Sequence, residues 1–169
     1  MASALSSLLD LLRESHWTVS FAESCTGGLL ASRMTSQSGI SDVFRGAVVT
    51  YANETKEDLL GVRPETLQSH GAVSEWVALE MARGVQIKMK SHWAVSITGI
   101  AGPTGGTPQK PVGTVCFAVV GQGEQLRIEE SMTCHFTGDR GSIQSQAADH
   151  GVEFLVQQIE RVKKTFFIK

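Results

Sequence analysis

A chain of 169 residues in which 41% of side chains are hydrophobic and 19% charged has the composition of a single globular domain, so we expect one domain over residues 1–169. The net charge of −2 leaves no excess of positive charge for non-specific binding to nucleic acid. The longest apolar runs are too short to span a bilayer, and residues 1–15 lack the pattern of a secretory signal.

The predicted elements alternate between helix and strand over the first two-thirds of the chain. The predicted helices are, in order, Ala4–Glu14, Leu29–Met34, Asn53–Gly61, Pro64–Gly71, Glu75–Lys88 and Asp139–Lys163. The predicted strands are Thr18–Ala22, Gly46–Tyr51, Trp93–Thr98, Thr114–Val120 and Gln125–Phe136.

Local signals predict several of the element ends. Asn53 and Ser74 are predicted N-caps, because their side chains can accept hydrogen bonds from free amides of the first helical turn. Pro64 suits the first position of a helix. Gly121–Gly123 is predicted to be the turn between the last two strands.

Alternating strands and helices followed by a hairpin predict an α/β fold with three layers, α/β/α, in which helices cover both faces of a mixed, mainly parallel sheet. Ligand sites in such sheets form beyond the carboxyl ends of the strands. Three loops that follow strands are therefore the places to look for chemistry.

The first loop, Ala22–Gly28 (AESCTGG), leads from a strand into a helix. Its glycines allow a tight turn, and free amides at the helix start would face an anion or a developing oxyanion. Ser24 has the position of a nucleophile, while the alternative is that Ser24 or Thr26 only caps the helix. Cys25 is a rival nucleophile, because a helix N-terminus lowers a thiol pKa; a buried structural cysteine is the alternative.

The second loop, Thr50–Lys56 (TYANETK), leaves a buried strand and enters a helix. A lysine beside a serine acts as a base if burial lowers its pKa, and a tyrosine can relay the proton. Lys56 and Tyr51 are the candidates for these roles. The alternative for Lys56 is a solvated lysine in the first turns of a helix.

The third loop, Gly99–Gly113, is rich in glycine and proline, which favours either close approach to a ligand or a well-made turn. It matches neither the GxxxxGK[ST] phosphate loop nor the GxGxxG dinucleotide pattern. Further along, Arg140 is a candidate for bidentate binding of a phosphate beside helical amides. Its alternative is a surface ion pair with Asp139.

The cysteines and histidines indicate a reduced compartment and no metal site. Cys25, Cys116 and Cys134 are odd in number and widely spaced, and the five histidines are scattered without metal-ligand spacing. A reduced, cytosolic setting explains the cysteines best. We therefore expect a cytoplasmic protein with no metal and no cofactor.

Five motifs occur together and in order, and jointly they closely resemble the CinA C-terminal family from about Leu8 to about Leu155. The motifs are Ala22–Gly28, Val49–Lys56, Gly71–Glu75, Ile97–Pro103 and Lys110–Thr114. The resemblance is to a one-domain form, without the N-terminal molybdopterin-binding-like domain of longer members. It implies hydrolysis of nicotinamide mononucleotide to nicotinic acid mononucleotide and ammonia.

The resemblance also implies roles for individual residues. The family's serine nucleophile corresponds to Ser24, and its tyrosine and lysine correspond to Tyr51 and Lys56. The hydroxyl residue before GIAGP corresponds to Thr98, and the arginine of the GDR motif corresponds to Arg140. Which of Lys56 and Tyr51 is the general base stays open at this point.

We expect the remaining site residues to bind the oxyanion and the substrate. The turn Thr26–Gly28, with Gly27 and Gly28 at its end, is expected to offer amides to the oxyanion, helped by Thr98. The phosphate and ribose of a small nucleotide substrate are expected to lie against Arg140 and the glycine-rich loop, at Gly102, Gly105 and Gly106.

Three other functions are weighed against this one. They are a non-catalytic nucleotide-binding or regulatory module, an amidase for another small amide, and a partner-binding domain in DNA-damage or competence responses. The intact set of Ser24, Tyr51 and Lys56 favours the enzyme. A homodimer is expected because two-fold dimers are the commonest soluble assemblies, and neither a nucleic acid nor a membrane is expected as a partner.

Overall fold

The computed structural model describes residues 2–123 and 126–167, which form six α-helices, one 3₁₀ turn and five strands. The helices are α1 (Ala2–Glu14), α2 (Leu29–Thr35), α3 (Asn53–Leu60), α4 (Pro64–His70), α5 (Glu75–Met89) and α6 (Arg140–Phe167), and the 3₁₀ turn is Ile40–Asp42. The strands are β1 (Val19–Glu23), β2 (Phe44–Val49), β3 (Trp93–Gly99), β4 (Thr114–Gly123) and β5 (Leu126–His135).

Within these described ranges the strands form one mixed sheet in the order β2-β1-β3-β4-β5. β1 pairs in parallel with both β2 and β3, whereas β4 is antiparallel to β3 and to β5. Parallel pairing occurs where helices connect the strands, and antiparallel pairing occurs where no helix intervenes. The predicted mixed sheet of an α/β/α fold is confirmed.

Helices cover both faces of the sheet because side chains alternate along each strand. In β4, Phe117 belongs to the apolar cluster formed with α1, α2 and α6. Its neighbours Cys116 and Ala118 belong to a second cluster, formed mainly with α5 and the ends of α3 and α4. The two clusters are the two halves of one core, separated by the sheet.

The topology places the candidate loops together. β1 lies between β2 and β3 in the sheet. The segment from β1 to β2 contains α2, which packs on one face, and the segment from β2 to β3 contains α5, which packs on the opposite face. A crevice forms beyond the carboxyl ends of strands at such a switch point. Ser24 directly follows β1, Thr50 and Tyr51 follow β2, and Gly99 ends β3.

The predicted cap at Ser74 is confirmed, whereas the predicted cap at Asn53 is wrong. The Ser74 side chain accepts from the Val77 amide at 3.3 Å. Asn53 is instead the first residue of α3, and Ala52 precedes the helix without a side-chain cap. The Asn53 side chain lines a cavity described below, so a residue type that favours caps is used there for another purpose.

The predicted turn at Gly121–Gly123 is also wrong, because these residues belong to β4. Gly121 lies opposite Trp93 in the β3–β4 ladder. A Cβ at Gly121 would lie 2.5–2.8 Å from atoms of the Trp93 ring, which is closer than packed carbon atoms approach. Glycine is therefore needed there for packing. Gln125, the predicted start of the last strand, lies outside the described residues.

Candidate active site

A cavity of about 290 Å³ opens beyond the carboxyl ends of β1, β2 and β3. Seven of the predicted site residues line it: Ser24, Tyr51, Lys56, Thr98, Gly102, Gly105 and Arg140. Lys56 and Arg140 are the basic residues in its wall, and the Arg140 guanidinium carries a positive charge. The cavity therefore suits a ligand that carries negative charge.

Ser24 and Lys56 form a hydrogen-bonded pair in the floor of the cavity. The Lys56 Nζ atom lies 3.2 Å from Ser24 Oγ, 2.7 Å from the carbonyl oxygen of Thr50 and 3.3 Å from that of Tyr51. An ammonium group donates to all three oxygens, whereas a neutral amine donates to two and turns its lone pair towards the third. The two carbonyl groups cannot donate, so the lone pair of a neutral Lys56 faces the Ser24 hydroxyl.

Lys56 is buried, which contradicts the alternative of a solvated surface lysine. Its side chain is 1% exposed, although it is the fourth residue of α3. Burial lowers the pKa of Lys56 below its ordinary value of 10.5, because the charged form loses its water. Ser24 is 8% exposed, so both members of the pair are largely shielded from solvent.

The turn between β1 and α2 is organised by Glu23, whose role the sequence analysis missed. The fully buried Glu23 carboxylate accepts from the amides of Gly28 at 3.0 Å, Leu30 at 3.1 Å and Ala31 at 2.8 Å. A carboxylate at a helix N-terminus is favoured by the free amides there. Glu23, the strand residue directly before Ser24, thus fixes the start of α2 at Leu29.

This arrangement corrects the predicted oxyanion donors. The Gly28 amide is taken by Glu23, and the Gly27 amide donates to the Ser24 carbonyl at 3.1 Å. By contrast, the amides of Cys25 and Thr26 donate to no other residue in the described part of the chain. Neither Thr26 nor the two glycines line the cavity, whereas Cys25 does.

Thr98 and Gly106 also differ from their predicted use. The Thr98 hydroxyl donates to the Ala72 carbonyl at 2.9 Å and so links the end of β3 to the cavity wall. Its proton is therefore already engaged and does not point at an oxyanion. Gly106 lies outside the cavity wall, where a Cβ would lie 2.8 Å from the Val112 nitrogen, so its absence of a side chain serves the packing of the loop.

Tyr51 and Arg140 meet at the mouth of the cavity. Arg140 donates to the Tyr51 hydroxyl at 2.9 Å through one guanidinium nitrogen and to the Gly102 carbonyl at 2.7 Å through another. The alternative of an ion pair between Arg140 and Asp139 is wrong, because the Asp139 carboxylate instead accepts from the Ser142 amide at the start of α6. Tyr51 remains 62% exposed, so its ring is available to a ligand.

Cys25 is poorly suited to be the nucleophile. Burial raises the pKa of the Cys25 thiol to about 12, because a thiolate would lose its solvation. The residue is 5% exposed, and its thiol is consequently protonated at neutral pH. The structural interpretation of Cys25 is the better one.

Two long side chains that the sequence analysis did not assign hold the walls of the cavity. Lys110 Nζ donates to the carbonyls of His70 at 2.8 Å and Val73 at 2.6 Å. Gln144 of α6 donates to the Cys25 carbonyl at 2.7 Å. Both act through backbone carbonyls far away in sequence, so no local pattern could have indicated them.

A second cavity, of about 210 Å³ between α1, α2 and α6, contains an Arg33–Asp149 ion pair but no paired nucleophile and base. Across residues 2–123 and 126–167, no three or more histidine, cysteine or acidic side chains are grouped to hold a metal ion. No helix in the described ranges combines the length and the apolar character needed to cross a membrane.

Comparison with known proteins identifies the family. The model of the CinA C-terminal domain matches residues 2–159. The chain belongs to the CinA C-terminal domain family. A CinA-like protein of Syntrophobacter fumaroxidans is 53% identical over 139 residues, which cover 82% of this chain and 32% of that protein. One of Fervidobacterium nodosum is 46% identical over 138 residues, covering 82% and 33%. The chain thus spans about a third of the length of these CinA relatives.

Solved structures of CinA proteins share the fold almost completely. A CinA superfamily protein of Klebsiella pneumoniae superposes with a TM-score of 0.88 at 34% identity, covering 94% of this chain and 97% of the other. A competence/damage inducible protein of Agrobacterium tumefaciens gives a TM-score of 0.85 at 36% identity, covering 92% and 93%. The CinA fold therefore accounts for nearly all of this chain.

Proposed function

We propose that this CinA domain is an amidase that hydrolyses the carboxamide of nicotinamide mononucleotide, with Ser24 as nucleophile and Lys56 as general base. The observation that carries the proposal is the contact of 3.2 Å between Lys56 Nζ and Ser24 Oγ in a largely shielded floor. A serine is a weak nucleophile unless a neighbouring group removes its proton. A buried lysine with a lowered pKa is such a group.

Lys56 rather than Tyr51 is the base in this proposal. The Tyr51 hydroxyl is engaged by Arg140 at the cavity mouth, and the contact between Tyr51 and Lys56 runs through the Tyr51 backbone carbonyl. A base must lie within hydrogen-bonding reach of the proton that it removes. Lys56 fulfils this condition, and the Tyr51 side chain is left to bind substrate.

In the first half of the reaction, the Ser24 hydroxyl gives its proton to Lys56 Nζ as Oγ attacks the carboxamide carbon. The resulting tetrahedral intermediate collapses by breaking the carbon–nitrogen bond. Lys56 returns the proton to the departing amide nitrogen, which leaves as ammonia. The product of this half is an ester between the nicotinoyl group of the nucleotide and Ser24.

The oxyanion of the intermediate is assigned to the amide of Cys25. This amide follows the nucleophile directly, belongs to a residue that lines the cavity and is not used by another described residue. The amide after the nucleophile plays this role in other serine hydrolases with a strand–turn–helix nucleophile. One such donor contributes about 3 kcal/mol to transition-state stabilisation.

In the second half, Lys56 takes a proton from a water molecule as the water oxygen attacks the ester carbonyl. The second tetrahedral intermediate collapses, and the bond between carbon and Ser24 Oγ breaks. The proton on Lys56 returns to Ser24. Nicotinic acid mononucleotide leaves, and the pair is restored.

The choice of a nucleotide rests on the family resemblance and on the charge of the cavity mouth. Arg140 offers a guanidinium for a phosphate, which is a bidentate ligand for arginine. The exposed face of Tyr51 suits the positively charged pyridinium ring of the substrate. The phosphate thus has a cationic partner in Arg140, and the pyridinium ring has an aromatic partner in Tyr51, within one cavity.

The test is release of ammonia from nicotinamide mononucleotide by the purified chain and by three variants. We expect Ser24→Ala to lose activity by at least about 10³-fold, as nucleophile removal does in other serine hydrolases. Cys25→Ala tests the rival nucleophile, and Ser38→Ala, at an exposed serine away from the cavity, is the matched control.

Full activity of Ser24→Ala would contradict the proposed nucleophile, and loss of activity in Cys25→Ala alone would transfer the role to the thiol. A folded wild-type chain that binds the nucleotide without releasing ammonia would contradict the amidase and support a binding module. A wild type that hydrolyses only a different small amide would contradict the proposed substrate while leaving the Ser24–Lys56 chemistry in place.

A further inference from the structure

Three soft or borderline ligand groups converge between β5 and α6, away from the cavity that the proposed amidase uses. Met132 and Cys134 are two residues apart on β5, and His150 lies on α6. His150 Nε2 is 3.3 Å from Cys134 Sγ and 3.4 Å from Met132 Sδ. None of the three residues lines the candidate active site.

The alternation of β5 brings the two sulfur atoms to the same face. Ser131 and Thr133, the residues next to them, donate to Glu75 at the start of α5 on the other face. Met132 and Cys134 therefore face α6, where both approach the same imidazole nitrogen. The convergence is a consequence of strand register and of the helix packed across it.

Hydrogen bonding alone does not explain this arrangement. If Nε2 carries the ring proton, it donates to one of the two sulfur atoms. If Nε2 carries a lone pair, it accepts the thiol proton of Cys134, and the Met132 thioether has no proton to offer. In either tautomer a single proton lies among three atoms that each carry a lone pair.

A cation at the centre of the three atoms would satisfy all of them. We propose that Met132, Cys134 and His150 bind a soft monovalent metal ion of the Cu(I) class. Thiolate and thioether groups select such ions, and imidazole is also a copper ligand. Bond lengths of about 2.0 Å to nitrogen and 2.3 Å to sulfur place the nitrogen about 3.5–3.7 Å from each sulfur, so the cluster would open by only a few tenths of an ångström.

The surroundings of the cluster would suit a metal ion. The Glu153 carboxylate lies 3.9 Å from Nδ1, on the side from which an outer carboxylate would orient a metal-bound histidine. Phe117, Phe136 and Phe154 surround the His150 ring, with ring centroids 4.9 Å, 5.9 Å and 6.5 Å away. This apolar shell limits water, while the His150 side chain is 24% exposed, which leaves a route for the ion.

Binding releases one proton, because the Cys134 S–H bond breaks as the sulfur–metal bond forms. No electron is transferred, so the metal enters and stays in the monovalent state. The net charge of the cluster is then unchanged, since a thiolate and a monovalent cation replace a neutral thiol. The half-buried site therefore takes up the ion without gaining a net charge.

The test is anaerobic competition for Cu(I) between the full chain and a coloured Cu(I) chelator, with circular dichroism to verify the fold. We expect one Cu(I) per chain and an affinity that falls at least about 10-fold in Cys134→Ser and in Met132→Leu. Met132→Leu conserves volume and so keeps the packing of β5 on α6. Cys116→Ser is the matched control, since Cys116 lies on the opposite face and contacts Thr133.

X-ray absorption of the Cu(I)-loaded chain is expected to show two sulfur neighbours and one nitrogen neighbour. Wild-type affinity in either Cys134→Ser or Met132→Leu, an equal loss in Cys116→Ser, or the absence of stoichiometric binding by the wild type would overturn the proposal. The readout is metal binding, so its failure is distinct from failure of the amidase proposal.

Discussion

Lys56 lies in an environment that is unusual for a lysine, because its side chain is buried. Its ammonium group is covered by the end of β2 and the start of α3, and two backbone carbonyls fix its direction. The free-energy cost of burying a charge favours the neutral amine. The same contacts that hold the side chain therefore also prepare it to accept a proton from Ser24.

This account predicts that Lys56→Met lowers kcat by about 10³-fold, within the range for removal of a general base. In the wild type, kcat/KM rises with pH as Lys56 loses its proton. Because burial lowers the Lys56 pKa, the midpoint of that rise lies below 10.5. The measurement is a pH profile of ammonia release. Lys88→Met, at an exposed lysine of α5, is the control, and an unchanged profile in Lys56→Met would exclude Lys56 as the base.

Arg140 is predicted to act on substrate binding rather than on the chemical step. Lysine cannot reproduce the two-pronged geometry of a guanidinium, so Arg140→Lys should raise KM for nicotinamide mononucleotide about 10-fold, with little change in kcat. The riboside without the phosphate should show no such difference. The measurement is steady-state kinetics on both compounds, with Arg45→Lys at an exposed position as control. An equal effect on the riboside would remove the phosphate from this role.

At the scale of elements, contacts within the turn from β1 to α2 hold Ser24 in a fixed position. Glu23 ends the strand, and its carboxylate replaces the capping residue that α2 otherwise lacks. Gly28 precedes the helix with a φ of 97°, a conformation that favours glycine. Strand, cap and turn together fix the Ser24 backbone.

Glu23→Gln is predicted to lower kcat at least about 10-fold with little change in KM, because displacement of a nucleophile affects the reaction more than binding. The amide also loses charge-assisted bonds to helix amides, which should lower the free energy of unfolding by about 2 kcal/mol. Urea unfolding and steady-state kinetics measure the two effects, with the exposed Glu65→Gln as control. Wild-type kinetics in a destabilised Glu23→Gln would show that Glu23 serves stability alone.

Elements governed by local chemistry could be predicted from the sequence. Ser74 caps α5 and Pro64 begins α4 because each effect acts within one helical turn. The packing role of Gly121 could not be predicted from its neighbours in sequence, since the Trp93 ring that requires a glycine lies on another strand. The use of the Gly27 and Gly28 amides could not be predicted either, although their partners Ser24 and Glu23 lie only three and five residues away. Nothing in a motif indicates that the glutamate beside the serine folds back onto the helix.

The candidate site was predictable to a similar extent. The topology brings Ser24, Lys56 and Arg140 to one crevice, as expected for loops after neighbouring strands. The different positions of the Tyr51 and Lys56 side chains could not be predicted, because both residues follow the same strand and only side-chain directions distinguish them. Lys110 and Gln144 likewise act on backbone atoms that are 37 or more positions away.

At the scale of the whole molecule, an open sheet with helices on both faces provides the crevice. The chain as a whole carries little net charge. The formal charge of −2 gives no basis for attraction to phosphate backbones. The homodimer expected from the frequency of two-fold assemblies stays a prediction, and sedimentation of the 18.2 kDa chain tests it.

We predict that the chain does not bind duplex DNA at an ionic strength of about 0.15 M. Binding would need clustered basic side chains that neutralise DNA phosphates and release their counterions. Electrophoretic mobility of labelled DNA with increasing protein measures this. A protein–DNA complex whose affinity falls steeply with salt would contradict the prediction and favour a direct role on DNA over the nucleotide amidase.

The central claim, that Ser24 carries a covalent acyl group during amide hydrolysis, is tested most directly by mass spectrometry of the chain quenched during turnover of nicotinamide mononucleotide. The account predicts a nicotinoyl-nucleotide ester on the peptide that contains Ser24, and no adduct in Ser24→Ala. An adduct carried by Cys25, or continued turnover by Ser24→Ala, would contradict it.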